Sequence, residues 1–216
     1  MDCQATYFKL YDHLTHSNKY KQSLEDRVSI LELKKGDYVY KPSEELYTAY
    51  EVVKGTLKIG SYAKDGTECT FEILKPGDIF GNLHYLDGNF QEFAKCLSNV
   101  ELRLYDLVFY KRIVVEDHDI SEWFNQYIVR RWCRSETRFF TIISEDILTR
   151  VQRLYREFNK EIFDAKGKSV NIFETFTQKD IADLTGTTRQ SIAQVFKKIH
   201  KNPDLLYSKM DTVKLP

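Results

Sequence analysis

The chain has 216 residues, with 32 Lys+Arg balancing 32 Asp+Glu, 42% hydrophobic residues, and only 9 Gly and 4 Pro. That composition excludes a disordered chain and predicts one large domain or two small ones, burying roughly 70% of the unfolded surface. No apolar run approaches the ~20 residues of a bilayer span, Met1-Asp2-Cys3-Gln4 lacks the marks of a secretory signal, and Cys3, Cys69, Cys96 and Cys133 form no CxxC pair, so a cytoplasmic protein without a membrane partner is expected.

Seven of the nine glycines lie between Gly36 and Gly88, among short β-branched and aromatic runs. Strands are predicted at Val28–Leu33, Tyr38–Tyr40, Thr48–Val53, Thr56–Ala63, Thr67–Leu74 and Phe93–Asp106. Turn signals separate them at Lys35-Gly36-Asp37, Lys54-Gly55, Lys64-Asp65-Gly66-Thr67 and Pro76-Gly77-Asp78. Asp65-Gly66 reads as a hairpin because its turn needs positive φ. Strands this short and frequent predict a β-sandwich or roll. A repeat supports a double-layered roll: Leu33-Lys34-Lys35-Gly36-Asp37 recurs as Leu74-Lys75-Pro76-Gly77-Asp78.

From Asn89 to Lys166 there is no Gly or Pro, and the period changes. Phe124, Ile128, Trp132, Ser135, Phe139 and Ile142 recur at spacings of three and four, one stripe of a helix over 121–144. Trp123, Tyr127, Phe140 and Ile143 make a second face apolar, so packing on the roll and on a twin helix is expected, with the first stripe as the dimer interface. Ser144-Glu145-Asp146 offers a cap for a further helix through Ile147, Val151, Leu154, Tyr155 and Phe158, which breaks at Asp164–Lys168. The expected divisions are a roll over 1–118, a dimerisation helix over 119–144 and a C-terminal domain over 145–216.

The segment 177–199 reads as two helices around a tight turn. Thr177 caps the first, with Asp180 completing a capping box, and Gly186 permits the turn. Thr187 or Thr188 caps the second, whose inner side is Ile192, Val195, Phe196 and Ile199. Its exposed start carries Arg189, Gln190, Ser191 and Gln194, side chains able to pair with base edges. Thr177, Gln178, Thr188, Lys197 and Lys198 are placed for phosphates. The charge distribution agrees: from Asp146 onward 13 Lys+Arg stand against 9 Asp+Glu, and no acid falls between Leu184 and Pro203. Leu205–Tyr207 and Thr212–Leu215 are expected to pair as a short β wing.

A glycine-bearing roll, a long helix and a winged helix-turn-helix together resemble the CRP/FNR family of bacterial transcription regulators. The specific pieces are Val53-Lys54-Gly55-Thr56-Leu57, Leu74–Gly81 and the helix-turn-helix. The resemblance implies an α+β fold: an N-terminal double-stranded β-helix or jelly roll of the cyclic-nucleotide-binding kind, a long dimerisation helix and a C-terminal winged helix-turn-helix. It implies a homodimer on double-stranded DNA, acting on RNA polymerase in response to a signal felt by the roll.

The departures fall in the effector pocket. Where cyclic-AMP-binding members have Gly-Glu-Leu, this chain has Gly81-Asn82-Leu83; where they have Arg-Ser, it has Glu92-Phe93; and their Thr-Ser on the long helix corresponds to Ser135-Glu136. An acid at the phosphate's cation position repels the ligand by about 4 kcal/mol at ~4 Å and an effective dielectric near 20. Glu92 is expected to escape by pairing with Lys95 or by pointing outward. Cyclic AMP is therefore not expected to bind, and an unknown small-molecule effector, or none, takes its place. Only Cys3 lies where an iron–sulfur cluster's thiolates gather, and His84 alone is no haem ligand set, so no cofactor and no metal are expected. Cys133 on the long helix is expected to be a reduced thiol. The rival reading is a cupin-like metal-dependent enzyme built on the roll, but such a site needs two or three His and a carboxylate, and the roll offers only His84.

Overall fold

The computed structural model describes residues 8–42, 47–83 and 91–207. A helix, α1 (Leu10–His16), and a short turn of helix, α2 (Leu24–Arg27), lead into β1 (Val28–Leu33), β2 (Tyr38–Tyr40), β3 (Thr48–Lys54), β4 (Leu57–Tyr62), β5 (Glu68–Leu74), β6 (Ile79–Phe80), β7 (Phe93–Cys96) and β8 (Val100–Asp106). These strands form two antiparallel sheets, ordered β1-β8-β3-β6 and β2-β7-β4-β5. Val52, Leu57, Ile59, Leu74, Ala94, Val100 and Leu102 come from both sheets and share one buried core.

The sequence repeat builds two matching corners. In one, Lys34 N–H donates to the Asp37 carboxylate, and in the other Lys75 N–H donates to that of Asp78, both at 2.9 Å. Gly36 and Gly77 sit at φ +94° and +91°, where a side chain would be strained. The Gly36 amide donates to Cys96 of β7 and the Gly77 amide to Val52 of β3, both at 2.8 Å. Each corner thus ties one sheet to the strand it is about to join.

The expected single run Phe93–Asp106 is two strands, one in each sheet. The chain turns between them without Gly or Pro, because the Leu97 and Ser98 amides both donate to the Thr56 carbonyl, at 3.0 and 3.2 Å.

The helix α3 (Leu107–Glu116), which the strand reading passed over, follows at once. Asp106 caps it by accepting from the Phe109 amide, and Leu107, Phe109, Tyr110, Ile113 and Val114 are buried. The long helix α4 (His118–Ser144) starts a few residues earlier than the periodicity predicts, because Asp117 accepts from the Asp119 and Ile120 amides. Then come α5 (Ile147–Phe158), capped by Asp146, a hairpin of β9 (Glu161–Phe163) and β10 (Ser169–Asn171) where only a break was expected, α6 (Gln178–Leu184) and α7 (Arg189–Lys201).

The expected first strand of the wing is not one. Pro203–Leu206 winds into a 3-10 turn, held to α5 by Gln152 donating to the Leu205 carbonyl and by the Tyr155 and Tyr207 hydroxyls 3.0 Å apart. The second expected strand, Thr212–Leu215, lies outside the described residues. The C-terminal core of Val151, Leu154, Phe158, Ile181, Ile192 and Val195 also takes in Ile73 and Leu97 of the roll. No described helix is long and apolar enough to cross a membrane.

Candidate functional site

The 177–199 segment folds as two short helices because both are capped from within the motif. The Asp180 amide donates to the Thr177 hydroxyl at 3.1 Å and the Thr177 amide to the Asp180 carboxylate at 2.9 Å. Gly186 takes φ +61° between them. A Cβ there would come within 2.9 Å of Ile142, so the turn is seated on α4 itself. Thr188, not Thr187, caps α7, accepting from the Ser191 amide at 3.2 Å.

At 100° per residue, Arg189, Gln190, Gln194, Lys197 and Lys198 fall within half a turn of α7, opposite buried Ile192, Val195 and Ile199. All five are exposed, as are Thr177, Gln178 and Thr188. Ser191 is only half-exposed, and its hydroxyl lies 3.0 Å from that of Thr188. The arrangement presents a guanidinium, two amides and two ammonium groups on one cationic surface.

The other face of α6 docks on the roll. Lys58 of β4 places Nζ 2.7 Å from Asp180 Oδ1, and the Thr70 hydroxyl donates to the same oxygen at 2.9 Å. The Thr70 amide donates to Asp183 at 3.0 Å. Burial works against the Asp180 charge, but Lys58 and Thr177 outweigh it, and its carboxyl is held below the usual range. The one visible signal for this contact is a lysine between Leu57 and Ile59, a cation inside a buried run.

In the roll interior, the rings of Tyr40, Tyr50 and Phe80 pack with centroids 5.1–6.1 Å apart and are almost fully buried. Gly81, Asn82 and Leu83 follow β6 beside them, with Leu83 packed against the core of α1, α3 and α4. Glu92 does neither of the things expected of it. Lys95 pairs with Glu68 at 2.9 Å instead, and Glu92 turns inward to accept from the Tyr40 hydroxyl. Burial pushes its carboxyl up to about 7, against the opposing pull of Tyr40 and Arg131. Phe93 is fully buried, its ring 6.1 Å from Tyr38 and 5.2 Å from Tyr62. Arg131 of α4, which sequence reasoning did not single out, is committed to Glu72 at 2.8 Å. Ser135 and Glu136 are exposed, Glu136 accepting from the Trp132 indole at 2.6 Å. His84 and Cys3 lie outside the described residues.

Along α4 the expected stripe is rotated. Phe124 packs on the core of α1 and α3, and Ile142 packs against Gly186, so both face the chain's own body. The open apolar row is Ile128, Val129, Trp132, Phe139, Phe140 and Ile143, with Trp132, Phe139 and Ile143 64–70% exposed. On another side of α4, a cavity of about 350 Å3 opens toward α5 and the end of α6, lined by Arg134, Arg138, Arg150, Arg153 and Arg156. Among the described residues, His13, Asp117 and Asp119 bring possible metal-ligand atoms within 4.8 Å, but Asp117 is already spent on capping α4 and on His13.

The cyclic nucleotide-binding domain family matches residues 30–114, the described strands of the roll and most of α3. A CRP-like cAMP-activated global transcriptional regulator of Mycobacterium tuberculosis is 25% identical over 171 residues, 79% of this chain and 76% of that protein. The global nitrogen regulator of Synechococcus elongatus is 19% identical over 178 residues, 81% of this chain and 80% of its own length. Among solved structures, FixK2 from Bradyrhizobium japonicum superposes with a TM-score of 0.66 at 17% identity, covering 82% of this chain and 86% of that one. Over about four-fifths of its length the chain is thus similar in sequence to a CRP-like transcriptional regulator and in fold to FixK2.

Proposed function

We propose that the chain binds a palindromic DNA operator as a homodimer, paired along the open row of α4 and reading bases with α7. On this reading residues 1–118 form the sensor-like part, 119–144 the dimerisation helix and 145–216 the DNA-binding part. The observation that carries it is the single cationic surface of α7. Arg189 suits the paired acceptors O6 and N7 of guanine, and Gln190 and Gln194 suit the donor–acceptor edge of adenine. Ser191 assists from the cap, while Thr177, Gln178, Thr188, Lys197 and Lys198 contact phosphates. RNA polymerase is the implied further partner.

The roll does not take cyclic AMP, unlike the activator of M. tuberculosis named above. Tyr40, Tyr50 and Phe80 fill the space between the sheets, Glu92 stands where the phosphate's cation belongs, and Arg131 is neutralised by Glu72. Selection from random duplexes tests the DNA reading. Arg189→Ala should relax one base pair at a cost of roughly 1–3 kcal/mol, whereas Lys198→Ala should weaken all sequences alike and flatten the salt dependence. An unchanged selected site for Arg189→Ala would put the base-reading surface elsewhere.

A further inference from the structure

The cavity between α4, α5 and α6 holds about 350 Å3, within the range of small-molecule sites. Five arginines line it, and Glu157 is the one acid among its lining residues. Arg153 is tied to Glu145 at 2.7 Å, and Arg134 reaches Glu72 at 3.6 Å. Two others are held by backbone. Arg138 donates through Nη1 to the Phe71 carbonyl at 2.5 Å, and Arg150 donates through Nη1 to the Thr185 carbonyl at 2.6 Å.

A carbonyl fixes a guanidinium in place without neutralising it. Each of these two also keeps a buried nitrogen with no hydrogen-bond partner, Nη2 of Arg138 and Nε of Arg150. Buried donors are almost always satisfied, and these two belong to side chains that line the cavity. Burial lowers the pKa of Arg138, and Arg134 adds to this while Glu157 and Glu72 oppose it. Arg138 is short of negative charge.

We infer that this cavity binds a small phosphorylated anion that bridges the long helix to the helix-turn-helix. One guanidinium suffices for a planar carboxylate, whereas guanidinium groups converging from two helices suit a phosphate carrying more than one charge. Leu154 and Leu184 supply an apolar wall for an organic ester. Arg134 and Arg138 belong to α4, and Arg150, Arg153 and Arg156 to α5. Arg150 already holds the Thr185 carbonyl in the turn before α7. An anion shared by the two sets fixes the angle between α4 and α5, and with it the position of the recognition helix. This makes the cavity an input to the regulator separate from the filled roll.

Calorimetric titration of the full chain without DNA, at constant ionic strength, tests the site independently of any operator. The probes are inorganic pyrophosphate, fructose 1,6-bisphosphate and, as control, sulfate. Saturable binding of either phosphate about tenfold tighter than sulfate is expected, weakened about tenfold or more by Arg138→Gln. Tighter binding of the bisphosphate assigns an ester, and tighter binding of pyrophosphate an inorganic anion. Glu157→Gln should strengthen binding, a direction that loss of structure does not produce. Should Arg138→Gln fail to fold, the exposed Arg156→Gln gives the same weakening. The inference is overturned if neither phosphate binds better than sulfate, or if the substitutions leave affinity unchanged. It is equally overturned if Arg156→Gln alters only duplex binding, for the arginines then form a DNA-backbone surface.

Discussion

Lys58 and Asp180 stand 122 residues apart in sequence and 2.7 Å apart in space, one on the roll and one in the capping box of the helix-turn-helix. The Asp180 side chain is fully buried and that of Lys58 nearly so. Glu68 adds a second carboxylate 3.3 Å from the same ammonium. The pair joins the roll to the motif that carries the exposed cationic helix, so changes on either side bear on the other.

Removing the cation leaves a buried carboxylate uncompensated, so Lys58→Met should destabilise the chain by about 3–5 kcal/mol near neutral pH. The sign with pH follows from the lowered pKa of Asp180. Its stabilisation is present above the unfolded-state value of about 3.9 and is lost as pH falls through the folded one. Melting curves of wild type and variant should therefore converge below about pH 4. A gap of constant size would assign the loss to packing.

The open row of α4 predicts a dimer that two acids break. Ile128→Glu with Phe139→Glu should give a folded monomer by light scattering, with greatly weakened operator binding, because two half-sites about 34 Å apart are then no longer held together. A double variant that stays dimeric would place the interface on another surface.

Glu92 gives the opposite pH sign from Asp180. Its carboxyl is raised to about 7 by burial, with Tyr40 and Arg131 opposing and Glu72 adding to the rise. Protonated Glu92 therefore suits the fold at low pH, and stability is lost as pH rises through about 7. Glu92→Gln keeps an acceptor for Tyr40 and should stabilise the chain by about 2 kcal/mol at pH 8, with little effect near pH 5. Equal melting shifts at both pH values would show that the carboxyl does not titrate in this range.

Cyclic AMP and cyclic GMP should give no heat of binding at micromolar concentration and no rise in melting temperature. Micromolar affinity for either would require the Tyr40–Glu92 contact to open, and Glu92→Gln would then strengthen binding.

The bounds of β1 and β2 and the first cap of the helix-turn-helix are legible in the sequence because local chemistry decides them: turn glycines, an Asp three residues past a Thr, β-branched runs. The second cap is narrowed only to Thr187 or Thr188. The corner at Leu97–Asn99 is not, since its amides find their acceptor at Thr56, on a different strand. The phase of α4 is half legible. Its period predicts the helix, but two apolar faces compete, and only the core of α1 and α3 shows that Phe124 turns inward. Glu92 points inward because Tyr40, a residue from another strand, offers a hydroxyl, which no local pattern encodes. The arginine cavity draws on α4 and α5; the spacing of Arg150, Arg153 and Arg156 along one helix is its one sequence trace.

The order β1-β8-β3-β6 has a consequence for how the chain is made. The first strand of the roll and the third are joined only through the eighth, with Val28 pairing to Tyr105 and Thr48 to Asp106. At roughly 5–20 residues per second, a ribosome needs on the order of 4–15 s to pass from Val28 to Tyr105. Throughout that interval β1 has no partner, and β3, once made, has an open edge, both exposed to any other nascent chain nearby. Closure of the roll must wait for β8, and the helices that bury its end are synthesised immediately afterwards.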